Sequence, residues 1–294
     1  MDRRIFLLST VLWVAAGLSA CSGPSVSKPK DGIISLGPNI TETLYAVGLG
    51  NRVIGVTDFC DYPPEAANVA KVGGYFNPNY ERIALLNPAT IILQGNPPEI
   101  ATLAQQNGIH LVSCNMDSLA TIDSGIELIG KELACVDAAT DLRKQITTEL
   151  DAVRASVAGK PIRKVLIINV RQDHSLNTLF TIGKPSFLSE LLTVAGGENI
   201  FADESSNYFE ASKETVVLRN PDVIIEFHAG EPLTDADKQQ YLADWDALPT
   251  VNAVKNKEVH LFMDSYGLRP GPRVPSIAKR FAELIHPESS TAQP

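Results

Sequence analysis

Tyr75-Phe76-Asn77-Pro78-Asn79-Tyr80-Glu81-Arg82-Ile83-Ala84-Leu85-Leu86-Asn87-Pro88-Ala89-Thr90-Ile91-Ile92 lies in register with Tyr208-Phe209-Glu210-Ala211-Ser212-Lys213-Glu214-Thr215-Val216-Val217-Leu218-Arg219-Asn220-Pro221-Asp222-Val223-Ile224-Ile225 at an ungapped offset of 133 residues. Eight of the 18 positions are identical, where ordinary residue frequencies give about one. A second echo sets Leu44-Tyr45-Ala46-Val47-Gly48-Leu49-Gly50 against Leu191-Leu192-Thr193-Val194-Ala195-Gly196-Gly197. The alternative is convergence of two unrelated segments on one secondary-structure pattern. The paired echoes favour two similar units, each with helix, strand, turn, helix and strand in the same order.

Working outward, strands and helices alternate with short connections. Gly32–Leu36, Arg52–Val56, Thr90–Leu93 and His110–Ser113 are apolar runs rich in β-branched residues and read as strands. Between them fall a helix starting at Asn39, with Glu42 as a capping box, and helices over Tyr80–Asn87 and Glu99–Asn107. Gly48, Pro88 and Gly108 stop them. This alternation predicts an α/β fold with a parallel, covered sheet. The pattern returns with the strands Lys164–Val170, Val223–Glu226 and Val259–Phe262, and with helices over Phe187–Ala195, Lys213–Arg219 and Val274–Ile285.

The stretch from Ile122 to Val157 reads as almost unbroken helix, with Asp137 able to cap its second half. Leu142, Ile146, Leu150 and Val153 follow the 3.6-residue period among charged neighbours, giving one buried stripe. A helix over 138–156 is about 28 Å long at about 1.5 Å per residue, enough to brace two lobes; a crossover helix inside one domain is the alternative. Two similar lobes with a helical link make a cleft, and ligands of open α/β sheets sit beyond the carboxyl ends of the strands.

The chain of 294 residues carries a net charge of −9, with 44% hydrophobic and 20% charged residues. No Lys/Arg cluster suits nucleic acid. Met1-Asp2-Arg3-Arg4 is a short cationic start, and Ile5–Gly17 is an apolar run too short to span a bilayer comfortably. Leu18-Ser19-Ala20-Cys21 follows and looks like a bacterial lipobox, with Cys21 as the lipidated residue. Residues 22–30 read as a flexible tether. Removing residues 1–20 leaves 274 residues and a charge of −10. It also places the protein outside the cytoplasmic membrane, in the periplasm or on the outer face of the cell. Cys60, Cys114 and Cys135 allow at most one internal disulfide, and a fully reduced set is equally open.

Several elements together carry a resemblance: the lipobox, Ser35-Leu36-Gly37-Pro38-Asn39-Ile40-Thr41-Glu42, Cys60-Asp61-Tyr62-Pro63-Pro64-Glu65-Ala66, Val72-Gly73-Gly74, Gly196-Gly197-Glu198-Asn199-Ile200-Phe201 and Arg269-Pro270-Gly271-Pro272-Arg273. The chain resembles the periplasmic binding proteins of ABC importers for cobalamin and iron complexes, over nearly all of residues 32–286. The Asp-Tyr-Pro-Pro element looks more like the cobalamin branch. The resemblance implies a bilobal class III periplasmic-binding-protein fold, two Rossmann-like lobes joined by a long rigid helix. The expected partition is a signal peptide 1–20, tether 21–31, first lobe 32–118, helical linker 119–160, second lobe 161–286 and tail 287–294.

Tyr62, Tyr75 and Tyr208 are expected in loops at the cleft, where aromatic rings cover a broad apolar ligand face at little entropic cost. Phe180 is a further candidate wall residue, and Asp264 and Arg269 are candidate polar contacts. For any single aromatic, ordinary packing explains the residue as well as ligand contact does. Glu81 and Glu214 occupy the first turns of repeat-related helices. The helix dipole alone favours a carboxylate there. The resemblance implies that they dock on arginines of the permease dimer through charge-assisted hydrogen bonds.

The five histidines show no metal-ligand spacing; only His228, just past a strand, is a candidate ligand to a bound metal centre. No resident metal or cofactor is expected, and no catalytic motif is present. The expected function is a lipid-anchored receptor that hands a small-molecule chelate, preferably a corrinoid, to an ABC permease dimer and its ATPase subunits. Ferric-siderophore or haem binding in the same family is the alternative, and a chelatase-like enzyme on a related scaffold is a more distant one.

Overall fold

The computed structural model describes residues 31–287. The signal segment, Cys21, nearly all of the tether and the tail beyond residue 287 lie outside them. The first sheet has the strands β1 (Ile33–Ser35), β2 (Val53–Val56), β3 (Thr90–Gln94) and β4 (His110–Cys114), in the order β2-β1-β3-β4, all parallel. Helices α1 (Pro38–Ala46), α2 (Tyr80–Leu86) and α3 (Pro98–Asn107) connect them. Nearly every residue of β1 and β3 is buried, so these strands read as unbroken apolar runs rather than alternating ones.

Helices α4 (Leu119–Glu132) and α5 (Val136–Ser156) follow, and β5 (Arg163–Arg171) opens the second sheet. That sheet continues with β6 (Leu179–Ile182), β7 (Gly197–Asn199), β8 (Tyr208–Ala211), β9 (Val223–Phe227) and β10 (Val259–Phe262). Its order is β10-β9-β5-β6-β8, with β7 paired to β5. Helices α6 (Phe187–Val194), α7 (Lys213–Arg219), α8 (Asp235–Asp244), α9 (Asn252–Lys255) and α10 (Val274–Ile285) cover it.

The internal repeat survives as structure. Asn79 and Ser212 each cap their helix by accepting a hydrogen bond from the third helical residue, Arg82 or Thr215. Asn87 and Asn220 each end it in the left-handed conformation, with φ of 47° and 46°. A proline then blocks continuation, and the strands β3 and β9 begin. In both sheets this second strand pairs in parallel with the strand that opens the unit, β1 or β5.

Five sequence expectations need correction. The helical segment is broken at Leu133–Cys135, where Ala134 takes a φ of 56°. Asp137 sits in the first turn of α5 rather than capping it; Cys135 holds the cap position without a side-chain bond. There is no Asn39/Glu42 capping box, because α1 starts at Pro38 and both side chains reach elsewhere. The second sheet is not wholly parallel: β6 runs antiparallel to both β5 and β8, and Tyr208 lies in a strand rather than a loop.

Helix α5 has 21 residues and spans about 32 Å. Its buried stripe (Ala139, Leu142, Ile146, Leu150 and Val153) belongs to one continuous apolar core. That core contains Ile33 and Val112 of the first sheet, Ile126 of α4, Val165 of the second sheet and Phe281 of α10. Moving one lobe against the other would shear a packed core, so the link is stiff.

Candidate functional site: an aromatic cleft floored by strand ends

The cleft floor is assembled from residues just past the carboxyl ends of strands. Past β1, Asn39 is held buried by Nδ2 donation to Gln94 Oε1 at 3.3 Å and to the Pro270 carbonyl at 3.1 Å. Gly271 lies so close that a Cβ there would stand 3.3 Å from the Asn39 backbone. At the end of β3, Gln94 donates Nε2 to Asp117 Oδ1 at 2.6 Å, and its carbonyl accepts the Tyr75 hydroxyl at 3.0 Å. The Asp117 carbonyl accepts the backbone N–H of Phe187 from the second lobe at 2.9 Å. Ser186 caps α6 beside it and hydrogen-bonds Tyr208.

The Asp117 charge thus reaches two repeat-related tyrosines. Burial raises the pKa of Tyr75, and the Asp117 charge adds to the rise. Burial raises that of Tyr208 as well, against the Ser186 hydrogen bond and with a further push from Asp117. Both phenols are held protonated. Their rings remain 38% and 49% exposed, so they present surface instead of filling core. Phe180 pairs with Glu210 and Ile182 pairs with Tyr208, which puts Phe180 and Tyr208 on one face of the β6–β8 ribbon. Phe180 is 39% exposed on that face.

Two wall residues escaped the sequence analysis. Phe76 is 94% exposed and meets the Tyr75 ring edge-on at 4.9 Å. Asp117 carries no motif. The Tyr-Phe doublet in both repeats was an available signal for Phe76, although its counterpart Phe209 packs against Phe201.

Other candidates are placed differently. Arg269 is already engaged: its guanidinium donates to Asp61 at 2.5 and 3.1 Å, to Glu42 Oε1 at 3.2 Å and to the Phe59 carbonyl. Arg273 donates to both oxygens of the same Glu42, at 2.8 and 2.6 Å. The two arginines follow β10, whereas Glu42 and Asp61 belong to the first sheet's half, so this cluster clamps the lobes together. The Arg269 hydrogen bonds hold the Asp61 carboxyl below its usual range. Tyr62 lies under Arg273, whose guanidinium stacks 4.0 Å from the ring centroid. It lines an open hollow of about 810 Å³ between α1, α5 and the start of α10. Asp264 is exposed after β10 and hydrogen-bonds Tyr266.

His228 is corrected as a candidate metal ligand. Its ring is buried, with Nε2 2.9 Å from Glu226 and Nδ1 2.8 Å from Glu231. Burial opposes its charge, but the two carboxylates prevail and its pKa is raised. Among the described residues no group of three or more His, Cys, Asp or Glu is arranged to hold a metal ion. Cys60, Cys114 and Cys135 are all free thiols.

Glu81 and Glu214 are both exposed in the first turns of α2 and α7. The Glu214 carboxyl is held low by a backbone hydrogen bond and by the Ser212 hydroxyl.

A half-exposed aromatic cleft between two stiffly linked α/β lobes defines a class of protein that binds a ligand without closing far around it. Residues 33–265 match the periplasmic binding protein family, and the chain belongs to that family. It is 30% identical over 248 residues to the vitamin B12-binding protein of Vibrio cholerae, covering 83% of this chain and 85% of that one. It is 29% identical to YvrC of Bacillus subtilis, named as an ABC transporter substrate-binding lipoprotein, over 90% of this chain and 83% of the relative. The crystal structure of the V. cholerae periplasmic vitamin B12-binding protein BtuF superposes with a TM-score of 0.73 at 25% identity, covering 89% of this chain and 98% of BtuF. The periplasmic haem-binding protein HutB of V. cholerae shares the fold, with a TM-score of 0.77 at 21% identity over 87% of this chain and 99% of HutB. The match is to binding proteins rather than to an enzyme family.

Proposed function

We propose that this protein is a receptor, lipid-anchored through Cys21, that captures cobalamin or a related corrinoid in the cleft and delivers it to an ABC importer. The observation that carries the reading is the pair of half-buried tyrosines, one from each lobe, both within reach of the Asp117 charge. A ferric centre takes a tyrosine as its phenolate, and burial beside a carboxylate works against that form. A corrinoid instead offers broad apolar faces for rings to cover and peripheral amides for hydrogen bonds. Tyr75, Phe76, Phe180 and Tyr208 supply the first kind of contact, and Asp117 and Gln94 supply the second. The B12-binding relatives point the same way.

Delivery requires docking. Glu81 and Glu214, exposed at equivalent places on the two lobes, are the proposed contacts to arginines of the permease dimer. Lipid at Cys21 and the tether after it would keep the receptor near that permease. Calorimetric titration with cyanocobalamin, haemin and a ferric hydroxamate tests the ligand. Saturable heat with cyanocobalamin alone is expected. No heat with the corrinoid, with tight haemin binding and a tyrosinate-to-iron absorption band, would overturn the choice.

A further inference from the structure

The charges of the cleft are one-sided. Asp117 is exposed just past β4, and its carboxylate accepts from the Gln94 amide. Glu210 is exposed on β8, directly across from Phe180 and on the same face as Tyr208. Among the described residues neither carboxylate has a cationic partner. The cations at hand are engaged elsewhere. Arg269 and Arg273 face Glu42 and Asp61, so that clamp is neutral. Lys213 Nζ donates to Asn177 Oδ1 at 3.4 Å. Lys184, two residues before Ser186, is exposed and pairs with neither carboxylate.

The wall around Phe180 is also short of donors. Strand β5 bulges at Asn169: Ile168 pairs with Thr181, yet Val170 pairs with Phe180. Bulges re-aim side chains beside binding sites. At this one Asn169 Oδ1 is buried without a donor among the described residues. The two lobes therefore offer acceptors to spare, with no cation paired to them. That balance sorts ligands by what their rim carries. A peripheral carboxamide donates N–H groups, which a carboxylate accepts in charge-assisted bonds. A carboxylate at the same place on the ring has nearly the same shape, donates nothing and meets like charge, which is the repulsive half of specificity.

We propose that Asp117 and Glu210, one from each lobe, are specificity-determining residues that select a chelate whose rim is amidated and reject the same ring carrying carboxylates. This inference rests on the corrinoid reading above and adds which rim groups the ring must carry.

The test is calorimetric titration of the full-length protein with cyanocobalamin and with its separated monocarboxylic acids, each having one peripheral amide hydrolysed. At least one acid should bind wild type about tenfold or more weakly than cyanocobalamin. Asp117→Asn with Glu210→Gln should bring that ratio within about threefold, and each single variant should achieve part of this. Affinity of the double variant for cyanocobalamin itself should fall a few-fold, as charge-assisted bonds become neutral ones. Asp141→Asn removes one exposed charge from α5, outside the cleft, and should leave the ratio unchanged. If every acid binds wild type as tightly as cyanocobalamin, if the ratio survives in the double variant, or if Asp141→Asn relieves it equally, the selection is refuted and the corrinoid reading stands. If cyanocobalamin gives no heat with wild type, the corrinoid reading fails and this inference with it.

Discussion

Glu42 offers the sharpest test of how the lobes are held. Its side chain is 2% exposed and accepts three hydrogen bonds from two guanidinium groups across the cleft. Glu42→Gln keeps the shape, removes the charge and turns one acceptor into a donor facing arginine. Charge-assisted hydrogen bonds contribute about 1.5–3 kcal/mol each, and stripping one partner from a buried pair costs about 3–5 kcal/mol. Two features reduce that cost. Arg269 and Arg273 keep side-chain exposures of 14% and 19%, and Asp61 remains to hold Arg269. The expected loss is about 2–3 kcal/mol, or roughly 3–5 °C in Tm for a chain of this size. Asp61→Asn is the control: Asp61 is 55% exposed, and an exposed pair contributes less than about 1 kcal/mol. Thermal melts by circular dichroism at pH 7, in low and high salt, provide the assay. Salt should narrow the Asp61 effect and leave most of the Glu42 effect. A Glu42→Gln protein melting within 2 °C of wild type, or an Asp61→Asn loss of equal size, would refute the clamp.

Replacing Tyr75 or Tyr208 by Ala should weaken cyanocobalamin binding by about tenfold each. Tyr75→Phe keeps the ring, loses the bond to the Gln94 carbonyl and should cost less than about threefold, all read by calorimetry. The raised pKa of His228 gives stability that is complete below the ordinary histidine value of 6.5 and is lost as pH rises through the folded value. Urea unfolding should therefore show wild type losing stability above pH 6.5 relative to His228→Gln; parallel profiles would contradict the two-carboxylate clamp. Burial pushes the Cys114 thiol up to about 11, and Cys60 is 1% exposed, so an aromatic disulfide reagent should label partly exposed Cys135 first and the other two only on unfolding.

Local patterns carried much of the fold. Apolar runs located β1 to β5, β9 and β10 within a residue or two, because they are short, rich in β-branched residues and bounded by turn-forming or helix-stopping residues. The edge ribbon of β6 and β8 was not legible. Each of its strands has only four residues, and a four-residue strand gives no periodic signal until its partner is known. The break at Ala134 was invisible for a related reason: alanine is a good helix former, and only packing forces its positive φ.

The site divides in the same way. The repeat by itself singled out Tyr75 and Tyr208, and Glu81 and Glu214, because duplication marks positions that serve both halves. It gave no hint that Glu42, which looks like a helix cap, is a buried counter-ion. That role depends on Arg269 and Arg273, which lie more than 200 residues away in sequence. Nor did it single out Asp117, whose influence on both tyrosines arises only when the chain past β4 meets the N-terminus of α6. Sequence determined the two-unit plan, since periodicity and repeats are local properties of a chain. Which charged groups face each other across the cleft was decided by tertiary structure alone, because burial and distance belong to the folded arrangement.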